Sequence, residues 1–86
     1  MYWDVVDVYP LKDRELAVIF DDGVNGTIKI CKSFCTGVFE PLLDDEAIAK
    51  AKIKYGAIVW DNGLDLAPDT LYKEIKLNPE QYYKIT

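Results

Sequence analysis

Short β-like runs of apolar residues occupy most of the chain before the pattern turns helical. Residues 2–9 are rich in valine and aromatics and predict a strand, although the adjacent Val5 and Val6 break strict alternation. Pro10 has no N–H to give to a ladder and is expected to end it. After the polar turn Lys12-Asp13-Arg14, residues 15–20 predict a second strand. Leu16, Val18 and Phe20 share one face and Ala17 and Ile19 the other, so both faces are apolar enough to be covered. Asp21-Asp22-Gly23 predicts a tight hairpin turn with glycine in the left-handed position. In that register Phe20 faces Val24, and Ile28 and Ile30 fall on the side of Val18 and Leu16, a parity consistent with a hairpin over residues 15–31. Gly26 weakens the return strand and is a bulge candidate.

From residue 32 to 43 the apolar Phe34, Val38, Phe39, Leu42 and Leu43 are interrupted by Gly37 and Pro41, which predicts a short turn or helical piece followed by a core-plugging loop. Asp44 is the expected N-cap of a short helix over residues 45–51. Leu43 and Ile48 are placed for a hydrophobic staple, Asp45 and Glu46 sit at the positive end of the helix dipole, and Lys50 at the other. Residues 53–60 return to strand. Gly56 divides them, either as a very tight hairpin or as one bulged strand, and Ala57-Ile58-Val59-Trp60 is expected to be central in a sheet. Asp61-Asn62-Gly63 is a strong turn signal because Asn and Gly tolerate positive φ. Ala67 is pushed out of helical space by Pro68, which itself suits a first helical position. Asp69 favours the helix start and is expected to pair with Lys73. Leu71 and Ile75 share one face with Tyr72 beside it. Asn78-Pro79 stops this helix, and Asn78-Pro79-Glu80-Gln81 is expected to cap a last helical turn carrying Tyr82 and Tyr83. The predicted class is α+β: a small antiparallel sheet, built from an N-terminal strand, a hairpin and a later strand or hairpin, packed with one or two short helices in a single domain spanning residues 1–86.

Composition narrows the functional classes. Half of the 86 residues are hydrophobic and 29% are charged, which describes a folded chain. No apolar run is long enough to span a bilayer, and Met1-Tyr2-Trp3-Asp4 shows neither a basic start nor an apolar signal region, so the expected location is the cytoplasm and no membrane partner is expected. The net charge of −5 repels phosphates, and no nucleic-acid partner is expected for this domain alone. Histidine is absent, which removes the commonest general base and transition-metal ligand and excludes Ser-His or Cys-His catalysis within one chain. Cys31 and Cys35 do not match the redox C-x-x-C spacing and read as reduced, partly buried thiols. No catalytic constellation, metal site or cofactor is expected.

Three motifs carry a resemblance: Phe20-Asp21-Asp22-Gly23, then Gly37-Val38-Phe39-Glu40-Pro41-Leu42, then Trp60-Asp61-Asn62-Gly63-Leu64-Asp65-Leu66-Ala67-Pro68-Asp69-Thr70-Leu71-Tyr72. In this order they resemble the signature of a bacterial family of small domains of unknown function that ends in W-x-N-G-x-D-[LIF]-[AS]-P-[DE]-x-L-Y. The similarity covers about residues 1–72 and leaves 73–86 as a C-terminal extension; the Tyr55-Gly56-Ala57 turn is tighter than in many members. The resemblance implies an antiparallel sheet with one or two helices. Members of that family are often encoded beside another small uncharacterised protein, and some are described as antitoxin-like or as fused to DNA-binding domains, so the resemblance implies a small protein partner. It implies no catalytic residues.

Two residue sets are candidates for binding. Asp61, Asn62, Asp65 and Asp69, following Trp60, could present an acidic site for a small ligand or a divalent cation, because carboxylates and amides are hard oxygen ligands. Turn and helix-start chemistry explains each better: Asn62 for the turn, Asp65 for hydrogen bonds to turn N–H groups and Asp69 for the helix dipole, and the spacing is not that of an EF-hand. Trp3, Trp60, Tyr72, Tyr82 and Tyr83 could instead form an aromatic contact surface. Of these Trp60 and Tyr72 are expected in the core, and the adjacent Tyr82 and Tyr83 are the ones hard to bury in so short a chain. The expected function is a non-enzymatic protein-binding module that engages a protein partner or self-associates, with cation binding at the acidic turn and a structural homodimer as alternatives.

Overall fold

Alternation in the second strand sets the inner face of the main sheet. In the computed structural model, which describes residues 1–61 and 63–86, Leu16, Val18 and Phe20 of β2 (Glu15–Phe20) are buried, and Ala17 and Ile19 on the other side are half-buried. Strand β3 (Asn25–Ile30) returns antiparallel with Leu16 opposite Ile28, so Ile28 and Ile30 join the same face as predicted. The N–H of Phe20 bonds the carbonyl of Val24 at 2.8 Å, and Gly23 has a φ of +91° in the turn between the strands.

Strand β1 (Val5–Pro10) flanks β2, and the Val5-Val6 irregularity becomes a β-bulge: Val5 faces Phe20 while Asp7 already faces Ile19. The two valines consequently part company, Val5 buried and Val6 exposed. The bulge lies here and not at Gly26, which pairs in register with Val18. Gly26 serves a different purpose. A Cβ there would lie 2.7 Å from both the Gln81 carbonyl oxygen and Ile75 Cγ2, so glycine is needed because the following elements approach the strand closely.

The turn between β1 and β2 places Asp13 and Arg14 in the left-handed region, with φ of 58° and 59°. Besides backbone bonds, it is held by Arg14 N–H to Asp45 Oδ1 at 2.8 Å, Arg14 Nε to the Ile30 carbonyl at 3.1 Å, and Lys29 Nζ to the Asp13 carbonyl at 2.6 Å. Asp45 opens α1 (Asp45–Ile48), whose N-cap Asp44 accepts from Glu46 N–H at 3.0 Å. The helix is a single turn, shorter than the expected 45–51, and Leu43 stays exposed, so the staple with buried Ile48 does not enclose it. Two 3-10 segments, Lys32–Phe34 and Gly37–Leu43, precede it and seat Cys35 and Leu42 in the core. Both cysteines are free thiols; Cys35 Sγ donates to the Cys31 carbonyl, and burial pushes its pKa up.

Gly56 resolves as a tight hairpin. Strands β4 (Lys52–Lys54) and β5 (Ala57–Val59) are joined by Tyr55 and Gly56, both at positive φ, as a two-residue type I′ connection requires. Strand β6 (Asp65–Leu66) completes a three-stranded sheet with β5 at its centre, where the apolar run was expected. Helix α2 (Pro68–Leu77) starts with Pro68 at the first helical position and buries Leu71 and Ile75.

The largest departure from expectation follows α2. Residues 82–85 are not a helical turn but strand β7 (Tyr82–Ile85), parallel to β3, which makes the main sheet β1-β2-β3-β7. Asn78 redirects the chain: its Oδ1 accepts from Glu80 N–H, its Nδ2 donates to the Tyr82 carbonyl, and Gln81 adopts a φ of 53°. The segment that reads as an extension therefore belongs to the sheet, and Ile85 enters the core with Ile30, Ile58, Trp60 and Ile75. The antiparallel-dominated α+β class is as predicted. Among the described residues no helix is long and apolar enough to cross a membrane.

Candidate functional site

Two grooves compete for the role of site, and the acidic turn holds the first. Trp60 is buried, and its indole Nε1 donates to the Ile48 carbonyl at 3.3 Å, fastening the end of β5 to α1. Gly63 N–H bonds the Trp60 carbonyl at 3.0 Å and Trp60 N–H bonds the Leu64 carbonyl at 2.9 Å, which closes the turn; Asn62 lies outside the described residues. Asp61 is exposed and receives Lys52 Nζ at 2.9 Å. Asp65 is exposed on β6, where its backbone pairs with Val59, and its carboxylate makes no hydrogen bond among the described residues. An open groove of about 760 Å³ lies here, with Lys52, Lys54, Tyr55, Asp61 and Asp65 on its rim.

Asp69 does not join them. It stands at the start of α2 and lines a separate groove of about 620 Å³ with Tyr2, Trp3, Tyr72, Lys73 and Leu77. Asp61 and Asp65 thus do not converge with Asp69 on one point. Among the described residues no group of three or more Asp, Glu, Cys or His side chains is placed to hold a metal ion.

The second groove is aromatic. The Tyr2 ring meets the Trp3 ring edge-on at 4.8 Å and the Tyr72 ring at 5.1 Å, and Tyr72 meets buried Phe20 at 5.2 Å. Tyr2 remains 54% exposed and Leu77 69% exposed, so the apolar wall runs out to solvent. Lys76 Nζ sits 5.5 Å from the Tyr72 ring centre. The pair expected between Asp69 and Lys73 does not form: the ion pairs among the described residues are Met1 N-terminus with Asp4 and Lys52 with Asp61. Lys73 is left with an ammonium in water.

Tyr72 is fixed from behind. Its hydroxyl donates to Asp22 Oδ2 at 2.5 Å. That bond, with smaller contributions from burial and the Asp22 charge, pushes the Tyr72 pKa up to about 12, and the same bond holds the Asp22 carboxyl below its usual value. Tyr72 is therefore a neutral, oriented ring at any physiological pH.

Trp3 was legible as an aromatic-surface candidate, whereas Tyr72, expected in the core, is only half-buried and borders the groove. Tyr2, Lys73, Lys76 and Leu77 were missed, although a signal exists. Asp69, Tyr72, Lys73, Lys76 and Leu77 recur at helical spacing along α2, a second face beside the buried Leu71 and Ile75. Tyr82 and Tyr83 are adjacent in sequence, and strand alternation sends them to opposite faces of β7. Tyr83 packs against the core. The Tyr82 hydroxyl donates to Glu15 on the outer face, a bond that drives its pKa up to about 12. Each is partly buried, so they do not form one shared aromatic patch.

The chain belongs to the family described as "Protein of unknown function (DUF2442)", whose model matches residues 5–76. No curated protein and no solved structure matches it. The matched span includes the acidic turn and nearly all of α2, and ends before β7.

Proposed function

Starting from membership in a family with no assigned activity, we propose that this chain is a non-enzymatic protein-binding module that docks a partner in the aromatic groove beside α2. The observation that carries this reading is the exposed continuation of the Tyr2, Trp3 and Tyr72 rings to Leu77, flanked by Lys73 and Lys76. Apolar surface that reaches solvent as a lined groove, with aromatic rings already packed and oriented, suits a contact surface because little side-chain entropy remains to be lost on binding. The absence of histidine and the separation of Asp61 and Asp65 from Asp69 support a binding role over a catalytic one. Sequestering a small protein partner, the antitoxin-like role implied by the resemblance, is compatible with so short a chain. Divalent-cation binding at the turn has less support, because Asp61 is engaged by Lys52.

Co-purification from native cells tests this reading. The tagged chain should bring down a defined partner, and Tyr2→Ala combined with Leu77→Ser should lose it while the melting temperature is kept. A partner retained by the double variant, or a chain that repeatedly comes down alone as a monomer, counts against it; a dimer in solution scattering that the same variant dissociates points to self-association through this groove.

A further inference from the structure

Resting on the docking reading above, we infer that the occupant of the α2 groove is a short acidic segment of a partner protein with an apolar side chain beside its carboxylates. The apolar part of the recognition is supplied by Tyr2, Tyr72 and Leu77, and the charged part by Lys73 and Lys76. Lys73 lies four residues after Asp69 yet makes no ion pair with it, and Lys76 rests over the Tyr72 ring, where its ammonium stands beside the groove. Two lysines against one aspartate give the groove a positive lining in a chain whose net charge is −5. That local sign governs at close range, because charges beyond about 8 Å are largely screened at physiological ionic strength. Asp22 behind the groove accepts the Tyr72 hydroxyl and stays ionised, its charge felt by Lys76, so Lys73 carries most of the unbalanced positive charge of the groove.

The dimensions fit a linear segment. Helix α2 has ten residues, about 15 Å of axial length, which an extended chain covers with about five. Lys73 and Lys76 are one turn apart, about 5 Å along the axis, and carboxylates on residues i and i+2 of an extended segment are about 7 Å apart, a mismatch that flexible lysine stems absorb. The residue between the carboxylates points the opposite way in a regular strand, so the apolar anchor follows or precedes the acidic pair on its own face, or the segment turns locally to place it between Tyr2 and Leu77. A basic segment would not exploit the two ammoniums in this way.

The test uses the whole chain and three synthetic peptides about seven residues long: one with two glutamates and two phenylalanines, its lysine counterpart and its serine counterpart. Amide chemical shifts report where each binds. The acidic peptide should move the resonances of Tyr2, Trp3, Lys73 and Leu77 and bind about three- to tenfold more tightly than the serine peptide, the gain that two exposed charge pairs give. Raising the salt should erase that gain. Lys73→Glu with Lys76→Glu should invert the order, so that the lysine peptide binds best; both positions are exposed, and an unchanged melting temperature checks the fold. Equal binding of the acidic and serine peptides, a preference for the lysine peptide by the unaltered chain, shifts confined to another surface, or no binding by any peptide would each overturn the acidic occupant. The docking reading is separated from it by the native partner. If that partner is lost from the Tyr2→Ala/Leu77→Ser variant but kept by the charge-reversed one, docking stands and the acidic segment falls; if both variants keep it, both fall.

Discussion

The Tyr72 hydroxyl and the Asp22 carboxylate, fifty positions apart in sequence, meet at 2.5 Å and tie α2 to the turn between β2 and β3. The bond keeps the ring that forms the floor of the aromatic groove in a single orientation.

A pH signature follows from this bond. The Tyr72 pKa is raised to about 12, so the bond's contribution to stability is complete below the ordinary tyrosine value of 10 and is lost as the pH climbs through 12. On the acid side the Asp22 pKa is lowered, so its contribution is present above the ordinary carboxyl value of 3.8 and disappears as the pH falls through its lower folded value. Because Tyr82 is raised to about 12 as well, two of the six tyrosines should remain protonated at pH 11 in an ultraviolet titration of the folded chain. Tyr72→Phe should remove one of those late equivalents. Ionisation of all six by pH 11 in a chain still folded would contradict the bond.

Trp60 should prove structural. Trp60→Phe removes the donor to the Ile48 carbonyl and leaves a small void, which should cost about 1–3 kcal/mol in urea unfolding. A loss below about 0.5 kcal/mol would mean that the indole is not anchored as described.

Gly26→Ala should destabilise although its backbone φ is ordinary for a strand, because the added methyl would run into the Gln81 carbonyl and Ile75. Overpacking of this kind costs about 1–3 kcal/mol. The sensitive readout is amide exchange in β7 and α2, which should accelerate more than exchange in β1. Uniform acceleration would speak against a local clash.

Strand β7 should be indispensable. Ile85→Ala empties a core position and should cost about 2–4 kcal/mol, and a chain ending at Leu77 should lose cooperative unfolding, since β3 would then have a bare edge. A truncated chain that melts like the full one would show that the strand is dispensable.

Asp61 should matter little to stability. Its pair with Lys52 is exposed on both sides, so Asp61→Ala should change the unfolding free energy by less than about 1 kcal/mol. Calcium, magnesium and manganese should leave the melting temperature unchanged for the parent and for Asp65→Ala alike.

Local physics made much of the fold legible in sequence. Leu16, Val18, Ile28 and Ile30 declared one face by alternation, and the Asp21-Asp22-Gly23 turn fixed their register, because both signals are complete within seventeen residues. Pro68 announced the start of α2 for the same reason: a missing N–H and a fixed φ act on the chain wherever it lies. The antiparallel-dominated α+β class followed from such signals.

Tertiary structure decided what no local signal contains. Tyr82 to Ile85 has the composition of a strand, but only the open edge of β3, about fifty residues earlier, gives it ladder partners, and only Gly26 leaves room for its approach. The spacing of Asp61, Asp65 and Asp69 suggested one acidic site; the turn after β5 and the entry into α2 divide them between two grooves. The aromatic groove exists because the first residues of the chain return to lie against α2, so that Tyr2 meets Tyr72. The sequence by itself determined the β2–β3 hairpin, its inner face, the tight turns and the start of α2, because those depend on neighbours a few bonds away. The pairing of β7, the separation of the acidic residues and the joining of Tyr2, Tyr72 and Leu77 into one surface were decided by the packing of distant segments, which depends on shape and volume across the whole core.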